Sequence, residues 1–173
     1  MGNQVINLVA IIVFPLAMIF GALWDLTTMT IPNWLTVSLA AAFVAVVPFA
    51  GMGMEQIGWH LVAGGVALAA GMTLFGFGFI GGGDAKFVAA AALWIGWSDL
   101  LGYLIVASIF GGALTLAILG FRRLPLPQVL ARQAWVARLH DHREGVPYGI
   151  ALALAGLVIF RDSQWVAIAA SAA

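Results

Sequence analysis

Two of the chain's seven acidic residues, Asp25 and Asp84, stand at the edges of long apolar segments rather than in polar turns. Two carboxyl groups a few ångströms apart can hold a water molecule, and one then removes a proton while the other donates one. Asp25 is expected at the carboxyl end of one helix and Asp84 at the amino end of another, so the helix dipoles give them opposite environments. The pair therefore fits acid–base hydrolysis. The alternative is structural, with Asp25 capping the following loop and Asp84 serving as an N-cap.

The residues around Asp84 favour the catalytic interpretation. Asp84 follows three consecutive glycines, Gly81 to Gly83, and precedes Lys86 by two positions. An N-cap requires no glycine run, whereas a backbone that approaches a substrate or another helix closely does. Lys86 has two interpretations, since it either orients the substrate and the aspartates or extends its ammonium group to lipid phosphates. An ion pair between Asp84 and Lys86 is not expected, because these positions point to different sides of a helix.

The elements that position these residues must be membrane helices. The chain is 64% hydrophobic and 8% charged, with zero net charge and no cysteine. This charged fraction is about a third of that of a soluble domain, and the zero net charge gives no reason to expect nucleic acid as a partner. The absence of cysteine excludes disulfides and thiolate catalysis. His140 and His142 form an H-x-H without further ligands in view, so neither a metal nor a cofactor is predicted.

Six apolar segments of helical length predict an all-α, polytopic membrane protein with a bundle of six transmembrane helices. We expect one transmembrane domain over residues 1–173. The first segment lacks the basic n-region of a signal peptide and is expected to remain in the protein. The segments are Val5–Trp24, Trp34–Ala50, Ile57–Ile80, Asp84–Trp97, Leu100–Phe121 and Pro147–Phe160.

A basic loop at residues 122–146 sets the predicted orientation. It contains Arg122, Arg123, Arg132, Arg138 and Arg143, which are five of the seven basic residues. The positive-inside rule places this loop in the cytoplasm. Counting back through the helices puts the N-terminus outside and both catalytic candidates, distant in sequence, at the same cytoplasmic boundary. A separate amphipathic helix on the membrane within this loop is only weakly indicated, because its apolar and polar residues do not separate around a helical wheel.

Three motifs resemble those of a known family. Gly81-Gly82-Gly83-Asp84 is similar to the G-x-G-D motif of the GxGD aspartic membrane proteases, extended to G-x-G-D-x-K by Lys86. Asp25 followed by Ile31-Pro32-Asn33 resembles the first-aspartate segment of the type IV prepilin peptidases. Pro147-Tyr148-Gly149 is similar to the PYG element of the small prepilin peptidases of tight-adherence (Flp pilus) systems. The resemblance extends over the whole chain in helix number and motif order.

The resemblance implies a membrane aspartic endopeptidase that removes the leader peptide from prepilins at the cytoplasmic face of the bacterial inner membrane. Its partners would be a prepilin or pseudopilin precursor and the lipid bilayer, and Asp25 and Asp84 would be the catalytic pair. The larger prepilin peptidases carry a cytoplasmic domain with paired C-x-x-C motifs for N-methylation, and a chain without cysteine is expected to act as a peptidase only. The residues expected to support the site are Gly81, Gly83, Lys86, Pro32, Asn33, Pro147, Tyr148 and Gly149.

Some of these supporting residues have a purely structural alternative. Pro32 and Asn33 would restart the second helix, with Asn33 or Thr30 as its cap. Pro147-Tyr148-Gly149 would start the last helix, with the tyrosine at the membrane interface.

Two other functions remain open for the aspartates. A small proton-coupled carrier or channel would use Asp25 and Asp84 as relay groups. Relay carboxylates usually lie at mid-membrane depth, whereas both residues are expected near one face. A non-catalytic assembly subunit would tolerate the loss of either aspartate. The sequence makes no prediction about the oligomeric state.

Overall fold

The computed structural model describes residues 2–171, with side chains from Val9 to Ala170. These residues form helices and connecting turns and contain no strand, which confirms the predicted all-α class. A short 3-10 helix, Val47–Phe49, follows the second helix. The α-helices are α1 (Gly2–Thr28), α2 (Asn33–Val46), α3 (Met54–Gly76), α4 (Gly82–Ile95), α5 (Trp97–Arg122), α6 (Gln128–Ala131), α7 (Ala134–His140), α8 (Tyr148–Phe160) and α9 (Gln164–Ser171).

Helix length and composition identify a multi-pass membrane protein. Three helices are long and apolar enough to cross a bilayer: α1 from Val9, α3 and α5. The pair α8 and α9, bent by 41° at its break, is a fourth candidate. Helices α2 and α4 have 14 residues each, fewer than the roughly 20 that an isolated spanning helix requires. The number of six spans therefore stays a prediction.

The helix boundaries differ from the predicted segments near the two aspartates. Helix α1 continues past Trp24 to Thr28, so Asp25 lies inside its last turns rather than beyond its end. Helix α3 ends at Gly76 rather than Ile80, and a turn in which Gly78 has a φ of 77° leads to α4. Helix α9 was not among the six predicted segments.

Helix α4 lies at the centre of the bundle and packs against α2, α3, α5 and α8. Its run of small residues, Ala89 to Ala92, is buried, and small residues allow membrane helices to approach closely. The indole N–H of Trp94 donates to the carbonyl of Leu39 at 3.0 Å, and Trp165 donates to the carbonyl of Trp94 at 2.7 Å. These contacts hold α4 on several sides, so the position of Asp84 at its start is fixed by the core.

Segment 122–146 is folded against the bundle. Arg122 belongs to α5 and is buried. Its guanidinium donates to the carbonyls of Leu139, Glu144 and Gly145 at 2.8, 3.1 and 2.8 Å. Arg138 donates to the carbonyl of Thr27 at 3.2 Å. Arg138 therefore ties the segment to the end of α1, which carries Asp25. Arg122 holds the later part of the segment, before α8, against the end of α5.

Candidate active site

Asp25 is held by a backbone group from a distant helix. Its side chain is 4% exposed, and its Oδ2 accepts a hydrogen bond from the N–H of Gly149 at 2.8 Å. Helix α1 ends three residues later, where Met29 adopts a left-handed φ of 57° and donates its N–H to the Asp25 carbonyl at 2.8 Å. A left-handed residue directly after a helix is a common stop signal. The chain can therefore turn beneath Asp25 towards the start of α2.

Asp84 is held by the start of its own helix. It lies in the first turn of α4, three residues after the N-cap Gly81. The structural alternative that made Asp84 the N-cap is therefore wrong. The Asp84 carboxylate lies next to the backbone of Gly81, which stabilises its negative charge. An acidic residue at the third helical position is typical of a helix start.

Both aspartates line one cavity of about 340 Å³. They are close enough for the charge of Asp25 to act on Asp84. Residues of the expected support group line it as well: Gly81, Gly83, Asn33 and Tyr148. The structure thus brings together the two carboxyl groups and parts of all three motifs, which are more than 120 residues apart at the extremes.

Ile31 is one of the cavity residues to which the sequence motifs assigned no role. A Cβ on Gly83 would lie 3.3 Å from the Ile31 Cβ, and a Cβ on Gly149 would lie 2.9 Å from its Cδ1. The isoleucine is therefore packed between the backbones of α4 and α8. The place of Ile31 in the Ile31-Pro32-Asn33 motif could have indicated this role, but only the proline and the asparagine of the motif were assigned one.

The two glycines next to the aspartates leave room for the carboxylates. A Cβ on Gly149 would lie 2.8 Å from the Asp25 Oδ2, and a Cβ on Gly81 would lie 2.9 Å from the Asp84 Oδ2. Cβ contacts below 3.0 Å do not occur without a shift of the neighbour. Each glycine therefore allows the backbone to bind its aspartate directly.

Pro32, Asn33 and Lys86 connect α2 to α4. Pro32 is the N-cap of α2, which has no side-chain cap, so the prediction that Asn33 or Thr30 caps this helix is wrong. The Asn33 side chain is used elsewhere, since its Oδ1 accepts a hydrogen bond from the Lys86 Nζ at 2.9 Å. The ammonium group therefore joins two helices beside the cavity.

Pro147, Tyr148 and Gly149 start α8 and position it against α5. Pro147 is the buried N-cap of α8. The Tyr148 ring covers Gly111, where a Cβ would lie 2.6 Å from its Cε1. Its hydroxyl lies 3.3 Å from the Thr115 Oγ1. This packing places the N–H of Gly149 on Asp25.

The remaining titratable candidates lie apart from this cavity. His60 is buried, and its Nδ1 lies 2.7 Å from the carbonyl of Leu93, as expected for a structural histidine. His140 Nε2 lies 2.8 Å from the carbonyl of Leu124. Within residues 2–171, no group of three or more histidine, aspartate or glutamate residues is placed to hold a metal ion. The carboxyl groups that line the cavity are those of Asp25 and Asp84.

The motifs agree with a comparison against protein families. A model of the type IV leader peptidase family matches residues 12–116. This stretch contains both aspartates and the first two motifs, and it ends within α5, before Pro147. No curated protein and no solved structure matches the chain.

Proposed function

The chain belongs to the type IV leader peptidase family and is a protease, and from this premise we propose that it removes the leader peptide from prepilins by a mechanism in which Asp25 and Asp84 activate water. The observation that carries the proposal is the shared cavity, which is lined by two carboxyl groups from different helices. The substrates would be precursors of Flp-type or related pilins, each with a short basic leader before an apolar helix.

In the proposed mechanism, one aspartate of the pair acts as a base and the other acts as an acid. Two adjacent carboxyl groups hold one proton between them, because two anions at short range repel strongly. The ionised group removes a proton from water as the oxygen attacks the scissile carbonyl, and the protonated group donates to the carbonyl oxygen. The proton taken from water then passes to the leaving amine as the C–N bond breaks, and one hydroxyl proton of the tetrahedral intermediate returns to the pair. The Gly149 N–H keeps the Asp25 carboxylate in one orientation during these transfers.

The position of the arginine-rich segment supports a cytoplasmic active site. Residues 122–146 are tied to the bundle by the hydrogen bond from Arg138 to the carbonyl of Thr27, and Val146 of this segment lines the cavity. The positive-inside rule assigns such a segment to the cytoplasm. The cavity would then open at the cytoplasmic face of the bacterial inner membrane, where the basic leader of a prepilin is located.

The proton-carrier alternative fits the structure less well. A relay needs ionisable groups distributed across the membrane. Asp25 and Asp84 lie at the same end of the bundle, and the core beyond them is built from aromatic and small side chains, including Phe14, Phe43 and Trp94. The arrangement supports local acid–base chemistry at one face.

The test is leader removal from a coexpressed Flp-type prepilin, followed by gel shift. We expect Asp25→Asn and Asp84→Asn each to lower the rate by at least about 10²-fold, since each removes a general acid or base. Asp162→Asn is the matched control, because its carboxylate is 82% exposed and lies beyond α8. Continued processing by either amide variant of the pair would contradict the mechanism. Loss of processing in both, with normal membrane insertion, would exclude an assembly subunit that does not cleave.

A further inference from the structure

A second cavity, of about 310 Å³, runs along α4 between α2 and α3 and is called here the α2–α3 groove. Helices α2 and α3 each pack against α4 but have little contact with each other, so one side of α4 stays open between them. The lining is almost entirely apolar. It includes Thr36, Val37, Gly64, Gly65 and Leu68, with Lys86 at one end.

Gly65 shows that the groove is unfilled by the protein's own side chains. A Cβ on Gly65 would meet no atom within 4 Å. The adjacent Gly64 is different, because a Cβ there would lie 2.5 Å from the Leu93 Cδ2 and is excluded by internal packing. Internal packing therefore explains why position 64 requires a glycine. It gives no reason for a glycine at position 65. Small residues on an open membrane-facing surface are typical of sites where another helix approaches closely.

The groove begins beside the cavity that contains the aspartates, on the other side of the Lys86–Asn33 pair. Asn33 lines that cavity and Lys86 lines the groove, and their side chains are joined by the 2.9 Å hydrogen bond. On α4 the groove extends from Lys86 to Leu93, which is about 10 Å or two helical turns. An extended peptide leaving the cavity past Asn33 would enter the groove without crossing another helix.

We propose that the α2–α3 groove binds the apolar helix of the substrate, immediately after the bond that is cleaved. This inference rests on the proposed function, since it requires a substrate whose scissile bond lies at Asp25 and Asp84. The groove would hold the first turns of the helix against Gly65, and the rest would lie in the lipid. Specificity for membrane-inserted precursors would then come from a surface separate from the aspartates.

The test fills the groove without touching the catalytic cavity. Gly65→Phe places a ring in the groove, and Gly112→Phe is its control, because Gly112 is an exposed glycine in the middle of α5 whose Cβ also would meet nothing within 4 Å. The substrates are the prepilin that the wild-type protein cleaves and a synthetic peptide with its leader and about six residues beyond the junction. We expect Gly65→Phe to raise KM for the prepilin at least tenfold while leaving cleavage of the peptide unchanged. Gly112→Phe should match the wild type on both.

The outcomes separate this inference from the proposed function. Failure of the wild-type protein to cleave any prepilin would contradict the proposed function. A normal KM of Gly65→Phe for the prepilin would overturn the binding of the substrate helix in the groove but not the proposed function. The groove would then be assigned to lipid chains. Equal loss on the prepilin and on the peptide would also overturn it, because a general disturbance of the fold would then be the cause.

A photo-crosslinker identifies the occupant directly. Benzoylphenylalanine at Val37, which lies on the groove and is 65% exposed, is compared with the same residue at Leu116 of α5, which is 72% exposed. In an Asp84→Asn background the prepilin should remain uncleaved and crosslink to position 37. Equal crosslinking at both positions would overturn the proposal.

Discussion

The carboxylates of Asp25 and Asp84 are positioned by backbone segments of different origin. The Asp84 carboxylate lies beside the backbone of Gly81, three residues before it at the start of the same helix. Asp25 binds the N–H of Gly149, which lies 124 positions away on α8. The geometry of Asp84 therefore depends on a local turn, and that of Asp25 depends on the packing of α8 against α1. Substitutions at the start of α8 are therefore expected to disturb the site by displacing the Asp25 carboxylate.

Substitution of Gly149 by alanine should impair cleavage through this contact. The added Cβ would lie 2.8 Å from the Asp25 Oδ2 and 2.9 Å from the Ile31 Cδ1, so the carboxylate and the isoleucine must move. We expect the initial rate of leader removal to fall at least tenfold, because misplacement of a catalytic group by about 1 Å costs that much or more. The measurement is the cleavage rate in membranes containing equal amounts of each protein.

Gly145→Ala is the control for that change. Gly145 lies in the connection that precedes α8, and a Cβ there would meet no atom within 4 Å. Its carbonyl, which accepts a hydrogen bond from Arg122, is kept by alanine. Wild-type rates for Gly149→Ala would show that the contact with Asp25 is not needed for cleavage.

Among the elements, the connection between α5 and α8 determines where Gly149 lies. The Arg122 guanidinium gathers three carbonyl oxygens from α7 and from the residues before Pro147. Without this group, those carbonyls would be left without their donor, and the connection before α8 would lose one of its links to α5. A single buried side chain therefore organises the segment that carries the third motif.

Arg122→Met should destabilise the protein, whereas Arg123→Met should not. A hydrogen bond to a charged group contributes about 1.5–3 kcal/mol, and leaving its partners unsatisfied adds to the loss. Arg123 is the adjacent residue and is exposed, so its replacement changes net charge equally without breaking these bonds. We expect a lower midpoint of thermal unfolding in detergent for Arg122→Met only. Equal midpoints for the two variants would contradict the role assigned to Arg122.

On the scale of the whole molecule, the part predicted from sequence is the part set by composition and by local pattern. The apolar segments predict the long helices. Of the supporting residues expected from the three motifs, four line the cavity beside the aspartates, Asn33, Gly81, Gly83 and Tyr148, whereas Pro32, Lys86, Pro147 and Gly149 do not line it. Contacts between distant residues were not predictable: the Lys86–Asn33 bond, the burial of Arg122 and the packing of Ile31 between two glycines all depend on how the helices pack. In a single sequence a buried arginine and a solvated one look the same.

The orientation of the molecule in the membrane decides which face contains the cavity, and the chain is well suited to testing it because it has no cysteine. We expect Met54→Cys, at the 83% exposed first residue of α3, to react with a membrane-impermeant maleimide added to intact spheroplasts. Arg143→Cys, at an exposed position in segment 122–146, should react only after permeabilisation. The unsubstituted protein should not react at all. The reverse pattern would place Asp25 and Asp84 at the outer face, where they could not reach a junction held at the cytoplasmic side by a basic leader, and would contradict the proposed substrate together with the location.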